Sequence, residues 1–119
     1  VEDDEISMSL FDDLLRANGY NTLKAEGGWK AFDIIEKQRP DLIIMDIYLP
    51  DISGLEVTRI INADDNLKDI PIVAVTAFAM KGDEERILKG GCNAYIAKPI
   101  PVSEFLETVA KLLKWPNRV

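Results

Sequence analysis

Polar residues that could do chemistry stand directly after short apolar runs in this sequence. The clearest is Asp46, which follows the run Leu42-Ile43-Ile44-Met45. An apolar run of this length, bounded by strand-breaking residues, is typical of a strand buried on both faces. Open α/β sheets bind their ligands at the carboxyl ends of such strands, where Asp46 would lie. Three further polar positions follow the same pattern: Glu2/Asp3, Thr76 and Lys98. Because the carboxyl ends of parallel strands share one edge, we expect all these side chains to converge.

Such a cluster would suit phosphoryl chemistry that depends on a metal. Two like charges about 4 Å apart repel by about 4 kcal/mol at an effective dielectric near 20, so Glu2, Asp3 and Asp46 need a cation. Oxygen ligands without histidine or thiolate suit a hard ion, Mg²⁺ above all. Lys98 would add a positive charge and Thr76 a hydroxyl donor, as a transferring phosphoryl group requires. A carboxylate in this setting can act as the nucleophile and form an aspartyl phosphate.

The elements that must position these residues alternate along the chain. Strand-like runs alternate with helical patterns, which predicts an α/β fold with a parallel sheet and helices on both faces. The predicted strands are Asn21–Ala25, Leu42–Asp46, Ile72–Thr76 and Tyr95–Lys98. The predicted helices run from the acidic start to Gly19, from Gly27-Gly28 to Arg39-Pro40, from Ser53-Gly54 to about Asn62, over Lys81–Lys89 and over Pro101–Lys114, with a tail after Lys114.

Composition excludes several classes of function. The 119 residues, 47% apolar, suit one soluble domain. The net charge of −7 argues against nucleic-acid or anionic-membrane partners, and no apolar run approaches the roughly 18 residues of a membrane span. The single Cys92 cannot form an internal disulfide, which favours a reducing, cytoplasmic setting. The chain has no histidine, so it offers no phosphohistidine or histidine base of its own.

Five motifs at these positions are similar to those of a known family. They are Glu2-Asp3-Asp4, Met45-Asp46-Ile47, Leu49-Pro50 with Gly54, Val75-Thr76-Ala77 and Tyr95-Ile96-Ala97-Lys98-Pro99. In order and spacing the chain resembles the receiver domain of two-component response regulators, over residues 1–119. The resemblance implies a flavodoxin-like, doubly wound, parallel five-stranded sheet of order 2-1-3-4-5 with five helices. The stretches Gly54–Thr58, Thr76–Arg86 and Gly90-Gly91-Cys92 are most similar to single-domain members of the family.

The resemblance also implies roles for individual residues. Asp46 would be the phosphoacceptor and Asp3 a direct Mg²⁺ ligand. Glu2 would hold the ion through water or orient the site, and the Tyr48 backbone carbonyl would complete the protein ligands. Thr76 would bind a phosphoryl oxygen, Lys98 would pair with the acceptor and then with the phosphoryl group, and Tyr95 would be an aromatic switch. The bond between Lys98 and Pro99 would be cis, as only an X-Pro bond readily can be.

Partners follow from the same resemblance. A histidine kinase or a histidine phosphotransfer protein would donate the phosphoryl group and dock on the helix over Glu5–Asn18. The output would be binding of a downstream protein through the face formed by the fourth helix, fifth strand and fifth helix. The chain would thus be a phosphoacceptor switch rather than an enzyme in the ordinary sense.

One departure from the family concerns the first strand, of which only Val1 stands ahead of the acidic pair. Since a sheet that lacks its central strand would expose two unpaired edges, we expect the natural protein to have further residues upstream of Val1. Glu2 in place of the commoner Asp is a milder departure.

Other classes of function stay open at this point. A receiver cut from a hybrid histidine kinase, or a pseudo-receiver that binds partners without phosphorylation, would share most of these motifs. A haloacid-dehalogenase-type phosphatase would need a second Asp two residues after Asp46, where Tyr48 stands. A flavodoxin-like cofactor binder would need a Gly/Ser/Thr-rich phosphate loop after its first strand, and none is present.

Overall fold

A computed structural model describes residues 1–77 and 82–114 and places α-helices on both faces of a parallel sheet. The helices are α1 (Glu5–Ala17), α2 (Gly28–Lys37), α3 (Gly54–Ala63), α4 (Asp83–Lys89) and α5 (Val102–Lys114). The strands are β1 (Ile43–Asp46), β2 (Ile72–Thr76) and β3 (Ala94–Ala97). The predicted α/β class and the five predicted helices are therefore confirmed.

The sheet runs in the order β1-β2-β3, and both neighbouring pairs are parallel. Asp46, at the end of β1, is in register with Val75, and Thr76 is in register with Ala97. This register brings Asp46, Thr76 and the residue after β3, Lys98, to one edge of the sheet, as expected from the positions of the apolar runs.

Each face of the sheet carries its own hydrophobic core. Ile43, Met45 and Ile72 point to one face, where residues of α2, α3 and α4 cover them. Val73 and Val75 point to the other face, against α1 and α5, whose Phe11 and Phe105 rings lie 5.4 Å apart. The alternation of buried residues along the central strand therefore fixes which helices lie on which side.

The side of β1 that faces away from β2 is open. Val1 lies there beside β1, and the Glu2 N–H donates to the Ala25 carbonyl at 2.9 Å. A cavity of about 610 Å³ extends from this point, lined in part by Leu42, Ile43 and Ile44. The described residues form three strands, and the predicted strand Asn21–Ala25 is not among them, because so little backbone lies beside it to pair with. The order 2-1-3-4-5 stays a prediction.

Local signals explain where the helices begin and end. Asp4 caps α1 by accepting from the Ser7 N–H at 3.1 Å, and Ser53 caps α3 by accepting from the Leu55 N–H at 3.2 Å. Gly19, with φ of 85°, follows the end of α1, as predicted for a helix stop. The predicted start of the fourth helix at Lys81 and the predicted tail after Lys114 lie outside the described residues.

Within the described part of the chain, none of the helices has the length and apolarity needed to cross a bilayer.

Candidate functional site

Three carboxylates from two distant parts of the chain meet at the carboxyl edge of the sheet. Oxygens of Glu2, Asp3 and Asp46 all lie within 4.8 Å of one another. Glu2 is 2% exposed and Asp46 6%, whereas Asp3 is exposed to solvent. The cluster is therefore open on one side, where a ligand could enter, and closed around the other two carboxylates.

Lys98 supplies the opposite charge in this cluster. Its Nζ lies 2.5 Å from Glu2 Oε1 and 3.7 Å from Asp46 Oδ2. The Lys98 N–H donates to the Thr76 carbonyl at 2.8 Å, which anchors the end of β3 to the end of β2. The Lys98–Pro99 peptide bond is cis, as the resemblance implied.

Thr76, Tyr48 and Tyr95 complete the set of predicted residues. Thr76 is fully buried at the end of β2, next to Val75, the register partner of Asp46. The Tyr48 N–H donates to Asp46 Oδ1 at 3.1 Å, so its backbone borders the acidic cluster. Tyr95 is half-buried on β3, and burial together with the charges of Asp83 and Glu84 raises the pKa of its phenol.

Backbone hydrogen bonds hold the acidic pair beside β1. The Val1 amino group donates to the Ile44 carbonyl at 2.6 Å, and the Asp46 N–H donates to the Val1 carbonyl at 3.0 Å. Two hydrogen bonds to β1, with a third from Glu2 to Ala25, thus fix the position of Glu2 and Asp3.

The loop between β1 and α3 folds back tightly on Asp46. The Gly54 N–H donates to the Ile47 carbonyl at 2.9 Å, and a Cβ at Gly54 would lie 2.2 Å from the Asp46 carbonyl oxygen. Only glycine fits this approach. Near the tip of the loop, Asp51 accepts hydrogen bonds from the Gly28 and Trp29 N–H groups of α2.

Two of these contacts are not predicted by the sequence: the hydrogen bonds from the start of α2 to Asp51 and the pairing of Lys98 with Glu2. Gly27, which precedes α2, has no side chain to cap the helix, and this was the one local signal that a cap must come from elsewhere.

Electrostatics single out Asp46 among the carboxylates. Burial, followed by its contact with Glu2, raises the pKa of Asp46 to about 7. Burial also acts to raise the pKa of Glu2, but hydrogen bonds with Asp46 and Lys98 prevail and lower it. Glu2 is therefore the charged partner of Lys98, whereas Asp46 is only partly ionised near neutral pH.

The donor set fits a hard divalent cation. It consists of carboxylate oxygens around one open position, and it contains no thiolate or imidazole. A dication would favour the charged form of Asp46 and so oppose the burial and the contact with Glu2 that raise its pKa. The cluster thus matches the Mg²⁺ site expected from Glu2, Asp3 and Asp46.

Comparison with known proteins identifies the family. The profile of the response regulator receiver domain matches residues 1–110. The chain belongs to the response regulator receiver domain family. This receiver domain is 58% identical to the polar-differentiation response regulator DivK of Brucella anthropi over 113 residues. The aligned residues cover 95% of this chain and 92% of that protein. It is 56% identical to DivK of Brucella ovis over the same lengths. The predicted similarity to a single-domain regulator is confirmed.

Solved structures agree on the fold. A receiver domain of a signal transduction histidine kinase from Syntrophus aciditrophicus superposes with a TM-score of 0.91 at 28% identity, over 100% of this chain and 90% of that one. The receiver domain of a sensor histidine kinase from Pseudomonas aeruginosa, with a magnesium ion coordinated in its active-site cleft, gives 0.86 at 36% identity over 95% and 93%. The flavodoxin-like receiver fold is thereby established for this chain.

Proposed function

We propose that this receiver domain accepts a phosphoryl group from a partner's phosphohistidine onto Asp46, with Mg²⁺ bound, and thereby switches a protein-binding surface. The observation that carries the proposal is the meeting of Glu2, Asp3, Asp46 and Lys98 in one cluster. It combines a nucleophilic carboxylate, a set of ligands for a hard cation and a fixed amine, which are the parts that phosphoryl transfer requires.

The transfer itself exchanges one bond for another. A carboxylate oxygen of Asp46 attacks the phosphorus, the P–O bond forms, and the P–N bond to the partner's imidazole breaks with its electron pair retained by the nitrogen. Glu2, Asp3, Asp46 and the Tyr48 carbonyl would hold Mg²⁺, which when bound neutralises charge on the phosphoryl oxygens. Asp46 must be ionised to attack, and because its pKa is raised, a bound cation would increase the fraction that is ionised near neutral pH.

Lys98 and Thr76 would bind the oxygens of the new phosphoryl group. Lys98, which pairs with Glu2 and lies near Asp46, would turn toward the phosphoryl oxygens, because these carry the larger negative charge. The Thr76 hydroxyl would donate to another phosphoryl oxygen, and Tyr95 would follow it inward. The loop expected to shift, Ala77 to Gly82, has residues 78–81 outside the described part of the chain.

Partners and setting belong to the same proposal. A histidine kinase or histidine phosphotransfer protein would dock on α1, whose Ile6 is 82% exposed and whose Leu10 is 42% exposed. A downstream protein would bind the face of α4, β3 and α5, in the cytoplasm, without nucleic acid or membrane. The domain would act as a switch that at most catalyses its own phosphorylation and dephosphorylation.

The strand order 2-1-3-4-5 is also part of the proposal. Ala25, then Val1-Glu2, then β1, β2 and β3 lie side by side in that order, joined by backbone hydrogen bonds. The first two positions of the order would therefore fall on Ala25 and on Val1-Glu2.

Phosphorylation by a small phosphodonor tests the function. The protein is incubated with acetyl phosphate, with and without Mg²⁺, and its intact mass is measured. The proposal predicts the gain of one phosphoryl group that requires Mg²⁺ and is lost in Asp46→Asn. Labelling that survives in Asp46→Asn would overturn the assignment. Absence of any Mg²⁺ response would favour a pseudo-receiver that binds partners without phosphorylation.

A further inference from the structure

Helix α2 takes its N-terminal cap from another part of the chain. Asp51 Oδ1 accepts from the Gly28 N–H and Asp51 Oδ2 from the Trp29 N–H, both at 3.1 Å. Asp51 Oδ1 also accepts from the Ile52 N–H at 2.9 Å. Hydrogen bonds from Trp29, then Gly28 and Ile52, lower the pKa of the Asp51 carboxyl. Its charge is therefore held by the free N–H groups and the positive end of α2.

The two segments meet without a gap. A Cβ at Gly27 would lie 2.8 Å from Asp51 Oδ2, and a Cβ at Gly28 would lie 2.2 Å from the Ile52 Cγ2. The loop over residues 47–53 therefore rests directly on the backbone that begins α2. Such an approach fixes the loop as well as the helix, because either one can move away only by breaking the hydrogen bonds to Asp51.

The segment that leads into α2 is also hydrogen-bonded to Glu2. The Ala25 carbonyl, two residues before Gly27, accepts from the Glu2 N–H at 2.9 Å. The segment over residues 25–29 thus joins the backbone of Glu2 on one side to Asp51 on the other. These two sides carry the proposed Mg²⁺ ligands: Glu2 and Asp3 on one, Asp46 and the Tyr48 carbonyl on the other.

We infer that Asp51 is a positioning residue for the metal centre, which it supports without being a ligand. By pinning the 47–53 loop to the start of α2, it sets the distance between the Tyr48 backbone and the Glu2-Asp3 pair. The inference rests on the proposed function, because it concerns the ligands of the same Mg²⁺ site. Loss of a group that orients metal ligands typically weakens metal binding by 10- to 100-fold.

Calorimetric titration with Mg²⁺ tests the inference. Asp51→Ala should raise the Mg²⁺ dissociation constant by about tenfold. Asp51→Asn, which keeps one acceptor oxygen but no charge, should give an intermediate value. Ser53→Ala is the matched control, since it removes a helix cap from the same loop but leaves the contact with α2 intact. Its Mg²⁺ dissociation constant should equal that of the unmodified protein.

A second measurement needs no metal. Amide hydrogen exchange in the metal-free protein should speed up at Gly28, Trp29 and Tyr48 in Asp51→Ala, and at Leu55 but not at these three in Ser53→Ala. If the unmodified protein binds no Mg²⁺, the proposed function and the inference both fail. If it binds Mg²⁺ and either Asp51 variant binds it equally well, only the inference fails. Should Asp51→Ala not fold, Asp51→Asn decides the matter alone.

Discussion

The two sides of β1 differ sharply, although the same four residues form both. Toward β2, every residue of β1 from Ile43 to Asp46 has a partner in a parallel ladder. Away from β2, the neighbours of β1 among the described residues are Val1 and then the residues that line a cavity of about 610 Å³. The candidate site draws on both sides: Thr76 and Lys98 follow paired strands, whereas Glu2 and Asp3 follow Val1.

The two sides of β1 correspond to two tasks of the site, contact with the phosphoryl group and binding of Mg²⁺. The residues expected to contact the phosphoryl group are placed by a ladder and two packed cores. Among the residues expected to hold Mg²⁺, Asp46 belongs to the same ladder, whereas Glu2 and Asp3 are placed by a few backbone hydrogen bonds and by the Lys98–Glu2 ion pair. The contact of Asp51 with α2 holds the loop that carries Tyr48. We therefore expect changes on the Val1 side to weaken metal binding before they unfold the domain.

The largest effect should come from core truncation on the paired side. Ile72 and Ile43 are register partners and face the same core, but Ile43 lines the cavity. Ile72→Ala should lower the free energy of unfolding by about 3–4 kcal/mol, and Ile43→Ala by about 2, because fewer packed neighbours are lost beside an existing cavity. Urea denaturation of both variants checks this. Equal losses would show that the two sides of β1 are equally well packed.

Removal of the Lys98 charge should have the next largest effect. In Lys98→Met, Glu2 and Asp46 lose their cation, and we expect the metal-free protein to lose about 2 kcal/mol of unfolding free energy. Saturating Mg²⁺ should recover more stability in this variant than in the unmodified protein. Lys24→Met, which removes an exposed partner of Asp12, serves as the control and should change little. An unchanged stability in Lys98→Met would contradict the placement of Lys98 between the two carboxylates.

The pH dependence of stability should report on Asp46. Its pKa is raised to about 7, above the ordinary value of 3.8. Between pH 3.8 and about 7 the folded state therefore binds a proton that the unfolded state has released. Without Mg²⁺, the contribution of this group is present at acidic pH and is lost as pH rises through about 7. Asp46→Asn mimics the protonated form, so its advantage in stability over the unmodified protein should be larger at pH 8 than at pH 5. Thermal melts at both pH values measure the difference, and a gap that widens toward pH 5 would give the opposite sign.

The smallest effect should appear in hydrogen exchange at two adjacent amides. The Ile47 N–H donates to the Val75 carbonyl on the paired side, and the Asp46 N–H donates to the Val1 carbonyl on the open side. We expect Asp46 to exchange faster than Ile47, and Mg²⁺ to slow Asp46 more than Ile47. Equal protection at both amides without Mg²⁺ would remove the distinction between the two sides.

The sequence was sufficient where a residue's environment depends on its own neighbours along the chain. The apolar run before Asp46 predicts a buried strand, and Ser53 ahead of Gly54 predicts a helix start, because strand burial and capping are local. The contact of Asp51 with α2 and the pairing of Lys98 with Glu2 join residues 22 to 96 positions apart. No pattern of spacing encodes such contacts in a single sequence, since they depend on how loops pack after the sheet has formed. The predicted strand at Asn21–Ala25 is absent from the described residues for a different reason: a strand needs a partner as well as a suitable sequence, and little backbone lies beside this segment.

Locating the residue that carries the phosphoryl group tests the proposed role of Asp46 most directly. After reaction with acetyl phosphate and Mg²⁺, borohydride reduces an aspartyl phosphate to homoserine, and peptide mass spectrometry finds its position. We expect homoserine at position 46 alone, and only when Mg²⁺ was present. Homoserine at Asp3 or Asp51 instead, or at position 46 regardless of Mg²⁺, would contradict the proposal.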